Sequence, residues 1–285
     1  MGSTEVPPFQ PLVARHIADC MALSAEAGWN QTGDDWSIFL EHGTVFGLSD
    51  NTGRTIATGA VLPYAGGFAW ISMVLVTASR RRERIGTRIL ANGSAEIVKA
   101  GLVPLLDATP AGEQVYRPLG FEPIFGLTRW QGDAGDYKAP TAGICAMNAT
   151  DLGAVAALDA VAFGAVRRFL IESLYRRAPQ LAFVMKDGTG FVRGFILARP
   201  GRIAIQIGPI VAADEKAATA LLDAALGAAS GPVFLDLADG RDEIKRNLQA
   251  RGYTVQRPFL RMALHRSAPL GDPSRLFVAT GPEFG

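Results

Sequence analysis

Cysteine is scarce: the chain of 285 residues has two, Cys20 and Cys145. They have neither metal-type spacing nor a partner motif, which excludes a thiolate zinc site and a disulfide framework and leaves two reduced thiols in a cytosolic protein. Uninterrupted apolar runs of about 18 residues are also missing, so no membrane-spanning helix is expected. The N-terminus "MGSTEVPPFQ" lacks a basic start followed by an apolar core and does not read as a secretory signal. Gly2 meets only the most superficial requirement for myristoylation. Of the three histidines, His16, His42 and His265, none stands in a Ser/His/Asp pattern, and no His/Cys/carboxylate cluster suggests a metal. An excess of one charge is absent too. The formal net charge is +1, whereas a protein that coats nucleic acid carries a large positive balance, so no nucleic-acid partner is expected.

What is present fits a globular chain. Apolar residues make up 48% and charged residues 19%. The length suggests two domains of about 150 residues. "QGDAGDYKAPTAG" (131–143) is rich in Gly, Ala, Asp and Pro without apolar period, and reads as a linker between domains at 1–132 and 143–285.

Before it, "LVARHIADCMALSAEAG" has helical spacing and stops at Gly28. "TVFGLSD" and "RTIATGAVLPY" form a hairpin across a polar turn. "FAWISMVLV" is a central strand, "RIGTRILANGSAEIVKAG" an amphipathic helix and "VPLLDAT" a second buried strand. "AGEQVYRPLG" is a short helix, and "FEPIFGLTRW" a closing strand. The second half repeats this order: Val76 answers to Val211, Asp107 to Asp236 and Gly120 to Gly252 at nearly constant offset. The fold class is therefore α+β: two repeated domains, each a mostly antiparallel sheet flanked by helices.

Between "FAWISMVLV" and the first turn of the long helix lies a knot of arginines: Arg80, Arg81, Arg82, Arg84 and Arg88. It is either a solvated basic loop or an anion site. The strand–turn–helix placement favours the second, because a helix N-terminus offers free N–H groups and the positive end of its dipole, and arginine adds charged hydrogen bonds.

This unit resembles the GCN5-related N-acetyltransferases (GNAT), whose Gln/Arg-x-x-Gly-x-Gly/Ala turn cradles the pyrophosphate of acetyl-coenzyme A. Arg81-x-x-Arg84-Ile85-Gly86 fits it, except that Arg84 stands where the first glycine belongs. The resemblance covers residues 12–130, extends to the second half by repetition, and is closest to tandem bacterial members, which share phrases like "AGWNQT", "LDATPAGEQVYRPLGF" and "GPEFG". It implies a three-layer GNAT-like fold and N-acetyl transfer from acetyl-coenzyme A, with no metal. It implies cofactor contacts from Val74, Val76, Arg81, Arg82, Arg84, Ile85, Gly86, Thr87 and Arg88. A backbone N–H on "MVLV" would polarise the thioester carbonyl. Tyr116, four residues before Gly120, would protonate the departing thiolate; the alternative is a tyrosine that packs its ring into the core. A phenol pKa of about 10 keeps it protonated at neutral pH.

The second copy has "AADEKAAT" in place of the basic turn and Leu248 in place of Tyr116. Carboxylates there would repel pyrophosphate, so this copy is expected to have lost the chemistry. It would shape the acceptor site, cover the first copy or form a homodimer. The acceptor, a small-molecule amine, is expected against "AGWNQTGDDW", with Trp29, Asn30 and Gln31 as contacts and Asp107 at the end of its strand. Turn chemistry is the competing reading for Asn30 and Gln31, helix capping for Asp107, and the core for Trp36. Candidate bases are Glu113, Asp107, Glu41 and His42. A second function stays open: a silent coenzyme A-binding sensor or interaction protein, favoured by Arg84 in the glycine place. The tail "LFVATGPEFG" carries Leu276, Phe277, Val278 and Phe284, and is expected to extend past the last strand, pack with the second domain against the first domain or a dimer mate, and help wall the acceptor pocket.

Overall fold

The computed structural model describes residues 8–135 and 143–285. The first half runs β1 (Gln10–Pro11), α1 (Ile17–Glu26), α2 (Gly33–His42), β2 (Thr44–Ser49), β3 (Thr55–Tyr64), β4 (Phe68–Val76), α3 (Ile85–Lys99), β5 (Val103–Ala108), α4 (Pro110–Tyr116) and β6 (Phe121–Asp133). The second runs β7 (Ile144–Ala146), α5 (Leu152–Phe163), α6 (Arg168–Arg177), β8 (Phe183–Lys186), β9 (Val192–Arg199), β10 (Ile205–Val211), α7 (Glu215–Ala228), β11 (Pro232–Ala238), α8 (Asp242–Ala250), β12 (Thr254–Leu264) and β13 (Leu276–Ala279). The expected repeat is there, with β13 as an extra strand of the second half, and so is the α+β class.

Two expectations need correction. Residues 131–133, read as the start of a linker, are the end of β6, because they pair with Pro232–Phe234 of β11; residues 136–142 of that stretch lie outside the described residues. The tail does not extend past the last strand. It returns as β13 inside the sheet.

All thirteen strands form one sheet in the order β1-β2-β3-β4-β5-β12-β6-β11-β13-β10-β9-β8-β7. The two closing strands are exchanged. β12, from the second half, lies against β5 of the first; β6, from the first half, lies against β11 of the second. Two equivalent ion pairs lock the exchange. Arg261 on β12 binds Asp107 on β5 through two hydrogen bonds of 2.9 Å each, and Arg129 on β6 binds Asp236 on β11 at 2.7 and 2.8 Å. All four residues' charged groups are almost fully buried. A bidentate pair satisfies both partners, whereas removing one would leave a bare buried charge.

The halves are clipped together a second time near the start of α2. Arg177 and Arg199 both reach the buried Asp35, at 2.8 and 3.0 Å. Asn30 belongs to the same seam. Its amide donates to the carbonyl of Ala204 at 3.0 Å, and its oxygen accepts from the backbone N–H groups of Ile203 and Ala204. Trp36 is wholly buried and donates to Ser24, so the core reading of that residue holds.

Candidate active site

The first copy opens a cleft in the middle of the sheet. β4 pairs in parallel with β5 only from Phe68 to Trp70; beyond that the strands part. On its other edge β4 carries a bulge. Thr58 faces Leu75 and Ala60 faces Ser72, so Met73 and Val74 together oppose Gly59, and Met73 takes a left-handed φ of 54°. Gly59 is required there, since a Cβ would stand 2.4 Å from a methyl of Ile89 on α3. The bulge bends β4 away from β5, and the gap between them is a cleft.

The arginine turn sits at one mouth of this gap, between β4 and α3. Arg84 is the N-cap of α3, and no side chain caps the helix. Arg80 is tied to Glu83 at 2.8 Å, and Arg81 donates to the carbonyl of Val76 at 3.2 Å. Arg88 stacks its guanidinium over Phe9. Gly86 lies against Val74 and Val76, so the turn and the strand edge meet. Arg82 and Arg84 both hold left-handed backbone, with φ of 68° and 58°. This explains why glycine suits position 84: a left-handed non-glycine residue costs about 1–2 kcal/mol. Arg84→Gly should accordingly raise the melting temperature by about 2–4 °C for a gain of ~1 kcal/mol in a chain of this size. An unchanged or lower melting temperature would mean that the arginine side chain holds the turn.

Tyr116 ends α4 and lines the cleft with Met73 and Val74. Its ring lies over Gly112, where an added Cβ would come within 2.8 Å, and near Phe121. Burial pushes its phenol above the ordinary value, so it stays protonated. None of the hydrogen bonds among the described residues uses its hydroxyl, which leaves that proton free for a ligand.

The other wall is built from both halves and the tail. Trp29, Gln31 and Asp107 from the first half line the cleft, as do Arg257 and Phe259 from β12, and Pro282 and Glu283 from the tail. Asn30 does not line it, because its whole amide is used in the seam. Asp107 does, but Arg261 occupies both carboxylate oxygens, so it is not a free base. Glu113 pairs with Arg117 at 2.7 Å and Glu41 lies 3.9 Å from His42, all outside the cleft lining.

Sequence reasoning missed Glu283. It lies in "GPEFG", a phrase that marks the resemblance and the end of an apolar tail but assigns this carboxylate no role. Its Oε1 pairs with Arg199, while Oε2 is buried without a hydrogen-bond partner. Burial raises its pKa, against the pull of Arg199. A buried carboxylate with one spare oxygen facing the cleft is placed to accept a proton from a ligand there.

The second copy shows the same gap, filled. β10 pairs with β11 from Ile205 to Ile207, then parts from it beyond a bulge. β13 enters the opening and pairs with both, Val278 facing Ile210 and Leu237. At its mouth α7 starts at a self-capped turn, where the Asp214 carboxylate accepts from the N–H of Ala217 at 2.8 Å. The Glu215 carboxylate accepts from the N–H of Glu243. Strand and carboxylates together leave this gap no room and no charge for an anionic cofactor.

Comparison with known proteins agrees with this geometry. The sequence profile of the acetyltransferase (GNAT) domain matches residues 155–278, in the second copy. The chain is 21% identical over 241 residues to YitH of Bacillus subtilis (strain 168), an uncharacterized N-acetyltransferase, covering 84% of each chain. Among solved structures it is similar to a protein of Pyrococcus horikoshii assigned as an acetyltransferase, with TM-score 0.80, 18% identity, and coverage of 100% of this chain and 98% of that one. It is also similar to a tandem GNAT protein from the clavulanic acid biosynthesis pathway, with TM-score 0.62, 15% identity and coverage of 93% and 98%. The repeat and the splayed strands with their basic turn agree with these likenesses: residues 155–278 match the GNAT acetyltransferase domain, and the chain as a whole has the tandem GNAT fold.

Proposed function

We propose that the chain is an N-acetyltransferase that moves the acetyl group of acetyl-coenzyme A to the amine of a small molecule, using the first copy's cleft alone. The observation that carries this reading is the contrast between the two gaps: one is open beside an uncapped, arginine-rich helix start, the other is plugged and acidic. The residues of the open gap fit the cofactor. Arg81, Arg82 and the N–H groups at the start of α3 suit a pyrophosphate, and the unpaired edge of β4 suits an amide-bearing arm.

Acetyl-coenzyme A supplies the activated thioester. The protein's part is to hold that carbonyl beside the amine, which contributes through proximity. Glu283 takes the proton from the acceptor ammonium. The free amine attacks the carbonyl carbon directly, a C–N bond forms, the C–S bond breaks, and the nitrogen sheds its remaining extra proton, which through solvent restores the one that Tyr116 gives up. A backbone N–H of the bulged stretch Met73–Val74 offsets charge developing on the carbonyl oxygen. Tyr116 gives its proton to the leaving thiolate. Cys20 is buried in α1, with burial pushing its thiol to about 12, so it is not available as an acyl carrier.

Thiol release from acetyl-coenzyme A with pooled small amines, together with product mass, tests this reading. The expected product is an amine heavier by one acetyl group. Coenzyme A binding without any amine-dependent thiol release would favour the sensor instead.

A further inference from the structure

The acceptor wall of the cleft has two chemically different parts. One part offers spare acceptors. Gln31 Oε1, Ser72 Oγ and Glu283 Oε2 are each buried without a hydrogen-bond partner, and all three residues line the cleft. Glu283 is 4% exposed and Gln31 also 4%. A buried, unsatisfied polar atom is costly, so three in one cleft call for a ligand rich in donors. An ammonium is such a group, with three N–H donors and no acceptor.

The other part offers a spare cation. Arg257 lies at the bulge of β12 beside the cleft, half-buried. Its Nε donates to the neutral side chain of Gln256 at 3.1 Å, and among the described residues it has no carboxylate within ion-pair distance. Its neighbour Arg129 is different, because Asp236 takes it in a bidentate pair. Burial and the charge of Arg129 both work against the Arg257 guanidinium. Arg129, Arg199 and Arg261 in the same region each hold a carboxylate.

Resting on the N-acetyltransferase reading, we infer that the acceptor is a zwitterion of the amino-acid class: its ammonium is received by Gln31, Ser72 and Glu283, and its carboxylate by Arg257. One planar guanidinium matches one carboxylate in a two-pronged pair. A phosphate dianion would need a second unpaired cation, and Arg129 is already committed. Trp29 and Phe259 supply the apolar surface on which the rest of the acceptor lies.

The test uses the full chain and thiol release from acetyl-coenzyme A. Its probes are the twenty common L-amino acids, their primary amides, and ethanolamine and putrescine as amines without a carboxylate. The expected result is transfer to at least one amino acid with kcat/KM above that of its amide by about ten- to a hundred-fold, the weight of one charged hydrogen-bond pair. Arg257→Gln, at a half-buried position, should collapse that ratio towards one by raising KM for the amino acid. Transfer to amines with no preference for the carboxylate, or a preference that survives Arg257→Gln, overturns the amino-acid inference and leaves the N-acetyltransferase reading standing. No thiol release with any of these amines overturns the inference, and a search of larger amines then decides the broader reading separately.

Discussion

Deleting Leu276–Gly285 should leave a chain that does not fold. The segment looks dispensable as a sequence, but β13 closes the second copy's gap and the residues after it enter the first copy. Leu276, Phe277, Val278 and Phe284 are all buried. Burial of each such side chain contributes about 1.5–3 kcal/mol, so their loss rivals the ~5–15 kcal/mol that holds a whole protein together. Polar groups would be stranded as well. Tyr64 donates to the carbonyl of Phe284 and Trp70 to that of Pro282, both at 2.9 Å. Arg167 reaches the carbonyls of Phe284 and Gly285, and Arg199 would lose Glu283. Phe39, stacked on Phe284 at 5.1 Å, would face a void. The expected outcome is insoluble expression, or a protein without a cooperative thermal transition. A truncated chain that melts cooperatively near the full-length temperature would show that β13 is not part of the core.

Tyr116→Phe should keep the fold and the cofactor affinity but lower turnover by about ten- to a thousand-fold, the range general acids contribute. The ring's contacts with Gly112 and Phe121 survive the change; only the proton goes. Because burial raises the Tyr116 pKa, the alkaline loss of activity that reports this group should lie above the ordinary phenol value of about 10. Steady-state kinetics on the two proteins across pH checks both points. Equal turnover would return Tyr116 to packing alone.

The sequence revealed the elements more readily than their partners. The repeat, the central strand and the turn–helix unit are local patterns, and each stands where the residues indicated. Strand exchange is not local. β6 and β12 are equivalent in the repeat, so either could lie beside β5. The choice is settled by register and by the crossed pairs Arg129–Asp236 and Arg261–Asp107, whose charges lie more than a hundred positions apart in the chain. The same distance hid the fate of Asp107, a strand-end carboxylate that looked ready for a ligand until Arg261 arrived from the other half.

The tail shows the limit from another side. Its apolar residues announced burial, but not that they would fill a gap left by a bulge in β10, nor that Glu283 would be carried into the first copy's cleft. Asn30 was read from a turn-like context, and nothing in "GWNQT" indicates that its amide fits the backbone of Ile203 and Ala204. Arg84 was legible as a departure from glycine. Its consequence, a left-handed helix cap with a side chain, needed the backbone.

The central claim is that the two copies share one fold and only the first keeps a working cofactor gap. Calorimetric titration of the full chain with coenzyme A tests it most directly. The account predicts one site per chain, weakened about a hundred-fold or more when Arg81 and Arg82 are both changed to Ala, since each charged hydrogen bond contributes about 1.5–3 kcal/mol. Two equivalent sites per chain, or an affinity that ignores the loss of both arginines, would contradict it.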